Sequence, residues 1–135
     1  MAQAPDGVSI VQAFFQALLS GRLEAGLELI SPQAVWRYHG PESLLPFAGA
    51  FNGPAGVRRF FETALQHVEI LDMRIDAIEA ADGALYIRGQ ERSRVRANGA
   101  LYDIPWLHRV AVQDGRIVSY DEYLDTAAVA AALAA

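Results

Sequence analysis

The sequence predicts an α+β domain in which N-terminal helices pack on one face of a curved, mostly antiparallel sheet. Three observations carry that expectation. Apolar residues recur at three- and four-residue spacing as far as His67, and at every second residue beyond it. Asp82-Gly83, Asn98-Gly99 and Asp114-Gly115 then divide the second half into long strands, each dipeptide being a strong hairpin signal. Helices grouped ahead of a run of hairpins belong to the α+β class.

In chain order, Val8, Val11, Phe14, Phe15, Leu18 and Leu19 form the stripe of an amphipathic helix that ends near Gly21. Leu23, Leu27 and Ile30 continue as a second short helix. Ser31-Pro32 closes it, because the residue before a proline is pushed out of the helical region. A strand follows from about Ala34 to His39, with Trp36 and Tyr38 on one face and Val35, Arg37 and His39 on the other. Residues 40–53 contain Pro41, Pro46, Gly49 and Gly53 beside Leu44, Leu45, Phe47 and Phe51, and read as an ordered loop with apolar anchors. Such loops often cover sites.

Pro54 opens a third helix, whose buried stripe is Val57, Phe60, Phe61, Ala64 and Leu65. After His67, Leu71, Met73, Ile75 and Ala77 alternate with Asp72, Arg74 and Asp76, giving one buried and one wet face. Strands near 84–96, 100–113 and 116–125 complete the sheet. The Ala-rich end from Thr126 is a terminal helix or a frayed tail. Pro105 removes a ladder donor within a predicted interior strand, so a bulge is expected there.

At 135 residues and 53% hydrophobic content, residues 1–135 fit a single domain whose core is large enough to hold a cavity. The net charge of −5 argues against a general nucleic-acid surface, which needs a basic excess. The local cluster of Arg88, Arg92, Arg94 and Arg96 reads as a solvated strand face. With no cysteine, disulfides, thiolate catalysis and Cys-based zinc sites are excluded. The N-terminus lacks the basic and apolar regions of a signal peptide, and the ten-residue Ala-rich end falls short of the roughly 20 residues that cross a bilayer. No membrane partner is expected, and a cytoplasmic location is the default.

The penultimate strand carries the chief clue to function. Alternation places Ile104, Trp106, His108 and Val110 on one face, and Tyr120, Glu122 and Leu124 on one face of the last strand. Directed inward, His108 and Glu122 enter one apolar cavity. An imidazole tuned by burial suits proton transfer at neutral pH. The plainer readings are a core histidine hydrogen-bonded to a neighbour, and a Glu122 that forms a structural ion pair with Arg92. Without a cation, burial would raise the Glu122 pKa and suit it to act as an acid; paired with Arg92 it would stay ionised. His39, beside Gly40-Pro41, reads as a rim residue. His39, His108 and Glu122 include the residue types of a two-histidine, one-carboxylate metal site, but no paired His spacing supports one, so no metal is expected.

Several motifs resemble one family. They are Ala34-Val35-Trp36, His39-Gly40-Pro41, Gly53-Pro54-Ala55-Gly56-Val57 ahead of Phe60-Phe61, Trp106-Leu107-His108, Asp114-Gly115-Arg116-Ile117 and Tyr123-Leu124-Asp125-Thr126. Together with the element order they resemble the SnoaL-like branch of the nuclear transport factor two and ketosteroid isomerase superfamily. The resemblance implies a cone with its mouth near the first helices and the 40–53 loop, a small hydrophobic molecule inside it, no cofactor, and commonly a homodimer formed through the sheet. It adds Arg92 to the inward-facing set.

Carried over residue by residue, steroid isomerase chemistry meets Phe14 where those enzymes keep a tyrosine donor. Tyr38 or His39 stands in place of their aspartate base, and His108 in place of their second donor. The Asp, Arg and Asp of limonene epoxide hydrolases match Arg92, Arg94 and Glu122 only in part. The resemblance therefore implies a cofactor-independent acid/base enzyme of isomerase, cyclase, hydratase or lyase type, acting on a hydrophobic cyclic or carbonyl compound. His108, Glu122, His39 and Arg92 would do the chemistry, within walls made by Phe14, Trp36, Ile104, Trp106 and Tyr120. The alternative is a non-catalytic ligand-binding or dimerisation module of the same fold. A third reading, a partner-binding domain, predicts a large exposed apolar patch on the outer sheet.

Overall fold

The computed structural model describes residues 7–135. The N-terminal segment 1–6, read above for its lack of a signal peptide, lies outside them. The elements are α1 (Gly7–Leu19), α2 (Leu23–Leu27), β1 (Ile30–Tyr38), β2 (Gly49–Asn52), α3 (Gly53–His67), β3 (Val68–Ala81), β4 (Ala84–Val95), β5 (Leu101–Gln113), β6 (Arg116–Leu124) and α4 (Thr126–Ala134). The strands make one curved, open sheet in the order β2-β1-β6-β5-β4-β3. Only the β1–β6 pairing is parallel. The helices α1 and α3 lie on its concave face, as the change of period at His67 predicts. No helix among the described residues is long and apolar enough to cross a membrane.

Local chemistry sets the hairpins. Asp82-Gly83 and Asp114-Gly115 each take positive φ at both residues, the type I′ geometry that matches the twist of the flanking strands. In the Asn98-Gly99 turn only Gly99 has positive φ. The Asn98 amide there donates to the carbonyls of Ala132 at 2.8 Å and Ala135 at 2.9 Å, while its oxygen accepts from the Ala100 N–H at 2.9 Å. That contact ties down the end of α4. Its start is capped by Asp125, whose carboxylate accepts from the Ala128 N–H, and Val129 and Ala132 are buried beneath it. The C-terminal end is thus a docked helix and not a frayed tail.

Four sequence expectations need correction. Ile30 opens β1 instead of ending α2, because its pairing with Ile117 outweighs the helical spacing. Pro32 falls where the β1–β6 register shifts between Ile30 and Val35, a place where the ladder is already interrupted. The 40–53 segment is anchored by buried Leu45 and Phe47, but Leu44 is exposed and residues 49–52 form β2 on the edge of β1. On β3 the alternation buries little: it is the other edge strand, and Ile70 and Leu71 are both exposed.

Pro105 makes no bulge. The β4–β5 register runs unbroken from Leu85↔Val110 to Arg94↔Leu101, with Gln90 opposite Pro105. The β5–β6 pairing ends at Trp106↔Leu124, so Pro105 lies beyond the last rung on that side, where a missing N–H interrupts no ladder. The grouping of Ile104 with Trp106 on one face therefore holds.

Candidate active site

His108 and Glu122 are direct partners across β5 and β6, and both turn to the concave side. His108 is buried and Glu122 partly so. On the parallel neighbour, Trp36 is paired with Tyr120, and their rings stack at 3.8 Å with an interplanar angle of 7°. The Trp36 Nε1–H donates to Glu122 Oε2 at 2.8 Å, and His108 Nε2 lies 3.3 Å from Glu122 Oε1. On its other side, His108 Nδ1 is 2.5 Å from the Tyr120 hydroxyl.

This geometry couples the protons of Tyr120 and His108. Burial, and secondly the nearby Glu122, push the Tyr120 hydroxyl well above its ordinary pKa, so it keeps its proton; it donates to Nδ1 when the imidazole carries its proton on Nε2, and accepts from Nδ1–H in the other tautomer. The Nε2–H tautomer of His108 places its proton beside Glu122 Oε1, a contact of 3.3 Å. Glu122 thus accepts a hydrogen bond from Trp36 at Oε2 and has the His108 ring beside Oε1.

A second carboxyl group enters from β4. The inward positions of that strand are Leu85, Ile87, Gly89, Glu91, Ser93 and Val95. Glu91 Oε2 accepts from Ser93 Oγ at 2.7 Å, and the Tyr102 hydroxyl also hydrogen-bonds it. Burial raises its pKa above the usual carboxylate value, and Glu122 adds to the rise, against the opposing pull of the two hydroxyls and of His108. Tyr38 and Tyr102 line the same space. Burial raises both hydroxyls first, and neighbouring carboxylates raise them further, so they stay donors.

These groups share a cavity of about 430 Å³. Its walls include Phe15, Trp36, Phe60, Phe61 and Tyr120, and Leu18, Leu19, Gly21, Leu65 and Ile70 surround its mouth. The mouth thus opens beside the α1–α2 corner, while the 40–53 loop contributes Phe47 to the wall. Arg96 lies at the rim, donating to the Leu65 carbonyl and 3.7 Å from Glu69. A second depression, near residues 80–85, contains one ionisable side chain, Asp82, and is remote from this cluster.

The residues singled out from the sequence divide accordingly. His108, Glu122, Trp36 and Tyr120 converge as expected. Arg92 does not join them: it is on the outer, exposed face of β4, between Asp72 of β3 and Asp103 of β5, because the inward phase of that strand belongs to Glu91. The expected Arg92–Glu122 pair is replaced by Trp36 and His108. His39 likewise faces outward, where Nε2 meets Asp121 Oδ1 at 2.8 Å and the ring stacks on Tyr123. It cannot converge with His108 and Glu122 on a metal, and no cluster of three metal-ligating side chains occurs among the described residues.

Phe14, expected in the wall, is fully buried behind Trp36 and Tyr120, and the adjacent Phe15 lines the cavity instead. Ile104 and Trp106 are buried behind the cavity surface. Trp106 stacks on His108 at 4.2 Å and so supports the imidazole from beneath. Glu91, Tyr102 and Phe15 were not anticipated. Two of the three were legible: counting by twos from Ile87 reaches Glu91, and from Ile104 reaches Tyr102.

Comparison with known proteins agrees with this architecture. An NTF2-like protein from Burkholderia xenovorans LB400 superposes with a TM-score of 0.83 at 26% identity, over 93% of this chain and 94% of that one. An NTF2-like protein of unknown function from Burkholderia pseudomallei K96243 gives 0.86 at 20% identity, over 95% and 97%. A protein from Catenulispora acidiphila DSM 44928 with a ketosteroid isomerase-like fold, in complex with trimethylamine, gives 0.77 at 14% identity, over 98% and 95%. No curated protein matches the sequence. The SnoaL-like domain model matches residues 11–120, from the first helix through the strand that carries Tyr120, and the chain accordingly belongs to the SnoaL-like family.

Proposed function

We propose that this SnoaL-like protein is a cofactor-independent acid/base enzyme acting on a small hydrophobic carbonyl compound, with His108 and Glu122 as its proton-transfer pair. One observation carries the reading: the two side chains lie 3.3 Å apart inside an aromatic-walled cavity of about 430 Å³. That volume lies in the range of small-molecule sites. Glu122 takes a proton from the carbon beside the carbonyl group, the C–H electron pair becomes the enol double bond, and the carbonyl oxygen accepts a proton from a donor in the cavity. His108, oriented by Tyr120, supports Glu122 as it gains and returns its proton. Return to another carbon isomerises the compound.

A non-catalytic ligand-binding module is the second reading. The observation favouring it is that both Glu122 oxygens and both His108 nitrogens already have protein partners. The proposal also includes a homodimer through the convex face of the sheet, supported there by Leu101, Leu107 and Tyr123, which are 52%, 40% and 44% exposed. A cytoplasmic location belongs to the same proposal.

The test is hydrogen–deuterium exchange at the α-carbon of 2-tetralone in deuterated buffer, followed by proton NMR. Exchange above the buffer rate, lost in Glu122→Gln, is expected. Equal exchange in Glu122→Gln and the unsubstituted protein would overturn the assignment of Glu122, and exchange at the buffer rate would favour the binding module.

A further inference from the structure

The His108–Glu122 pair leaves unused a second carboxyl group in the same cavity. Glu91 comes from a different strand and faces Tyr38 of β1, Tyr102 and His108 of β5, and Glu122 of β6, with Ser93 beside it on β4. We propose that Glu91 is the proton donor that works with the Glu122 base, so that the cavity selects ligands bearing a carbonyl oxygen next to an acidic C–H bond. This rests on the proposed acid/base function and adds the group that completes it.

The partners of the two carboxyl groups differ in kind. Glu122 faces the Trp36 indole N–H, which can only donate and therefore requires an acceptor oxygen opposite it. Glu91 meets hydroxyls alone, from Ser93 and Tyr102, and a hydroxyl accepts as readily as it donates. A hydroxyl beside Glu91 can therefore accept the proton of a neutral carboxyl group, whereas the Trp36 N–H offers Glu122 no acceptor. Arg96, the cation at the rim, is engaged with Leu65 and Glu69. Burial and the neighbouring Glu122 act in the same direction, holding Glu91 towards its neutral form. Two carboxyl groups in unlike surroundings are the usual arrangement of an acid and a base in one site.

The polarity of the cavity orients the ligand. Its buried polar atoms are at Tyr38, Glu91, Tyr102 and His108, whereas the mouth has the exposed apolar side chains of Leu19, Leu65 and Ile70 beside the Arg96–Glu69 ion pair. A carbonyl group enters first and the hydrocarbon part remains nearest the opening. Glu91 then gives its proton to the carbonyl oxygen as Glu122 takes one from the adjacent carbon. The C–H pair becomes the C=C bond and the carbonyl π pair becomes the new O–H bond. Reversal at the same or another carbon restores both carboxyl groups.

The experiment compares the unsubstituted protein, Glu91→Gln, Glu122→Gln and Tyr102→Phe. Infrared difference spectra at neutral pH should show a protonated-carboxyl band that Glu91→Gln removes. Exchange of 2-tetralone should fall about 100-fold or more in Glu91→Gln, the range of a lost general acid. The fall in rate at high pH, set by ionisation of Glu91, should move upward in Tyr102→Phe, because the Tyr102 hydrogen bond holds the Glu91 pKa down. A missing carboxyl band overturns the inference whatever the exchange assay gives. Full exchange in Glu91→Gln with loss in Glu122→Gln overturns it while leaving the proposed function standing. Exchange at the buffer rate in the unsubstituted protein, with the band present, counts against the function and supports the protonation of Glu91.

Discussion

Gly89 and Trp106 face each other across β4 and β5, and the absent side chain of the glycine is what makes room for the indole. A Cβ at position 89 would overlap the indole and the Arg74 carbonyl oxygen of β3. The indole held there stacks on Phe15 at 5.9 Å and on His108 at 4.2 Å, so the backbone at position 89 supports the imidazole of the candidate site. Neither obstacle is the far end of a flexible side chain. Gly89→Ala should cost about 3 kcal/mol, the upper part of the range for overpacking a core. Urea unfolding with an unchanged m-value measures it, and a loss under about 1 kcal/mol would show that Trp106 can move aside.

Trp36→Phe keeps an aromatic ring against Tyr120 but removes the N–H that reaches Glu122 Oε2. A hydrogen bond to a charged group contributes about 1.5–3 kcal/mol, so a loss of about 2 kcal/mol is expected in guanidinium unfolding. If the loss stays below about 0.5 kcal/mol, Oε2 has found another donor.

The raised pKa of Glu91 makes stability depend on pH in a stated direction. The folded protein binds this proton more tightly than the unfolded chain, whose carboxyl group titrates at its ordinary value of 4.5. The contribution is complete below that value and is lost as pH rises through the raised one. The melting temperature of Glu91→Gln, minus that of the unsubstituted protein, should therefore be flat below about pH 4.5 and grow above it. A difference that shrinks with rising pH would mean that Glu91 is held ionised.

The contrast between Glu91 and Arg92 shows where the sequence was legible. On β5, the apolar residues Ile104, Trp106 and Val110 enclose His108 and settle its side of the sheet. On β4, Arg88, Gln90, Glu91, Arg92, Ser93 and Arg94 place polar groups on both faces, so local hydrophobicity does not set the phase. The flanking Ile87 and Val95 do set it, and they point to Glu91. Phe14 and Phe15 pose a different problem. Both are buried, and which of them borders the cavity depends on how α1 is rotated over the sheet, a property of tertiary packing. Ile30 was misread for a similar reason, since its strand partner Ile117 is far away in the chain.

A proton order running from Tyr120 through His108 towards Glu122 can be tested without any substrate. With the Tyr120 hydroxyl 2.5 Å from Nδ1, the neutral imidazole should carry its proton on Nε2, and nitrogen-15 NMR distinguishes that tautomer directly. Tyr120→Phe retains the ring that stacks on Trp36 but leaves Nδ1 without its donor, inside a shell formed by Trp106 and Phe15. A buried acceptor left unpaired costs about 1–3 kcal/mol, so the substitution should destabilise the fold by that amount. It should also bring the second tautomer into view, because no hydroxyl then fixes which nitrogen accepts. An Nδ1–H tautomer in the unsubstituted protein would reverse the order. Tyr120 would then accept from the imidazole, and Nε2 would have no proton to offer Glu122.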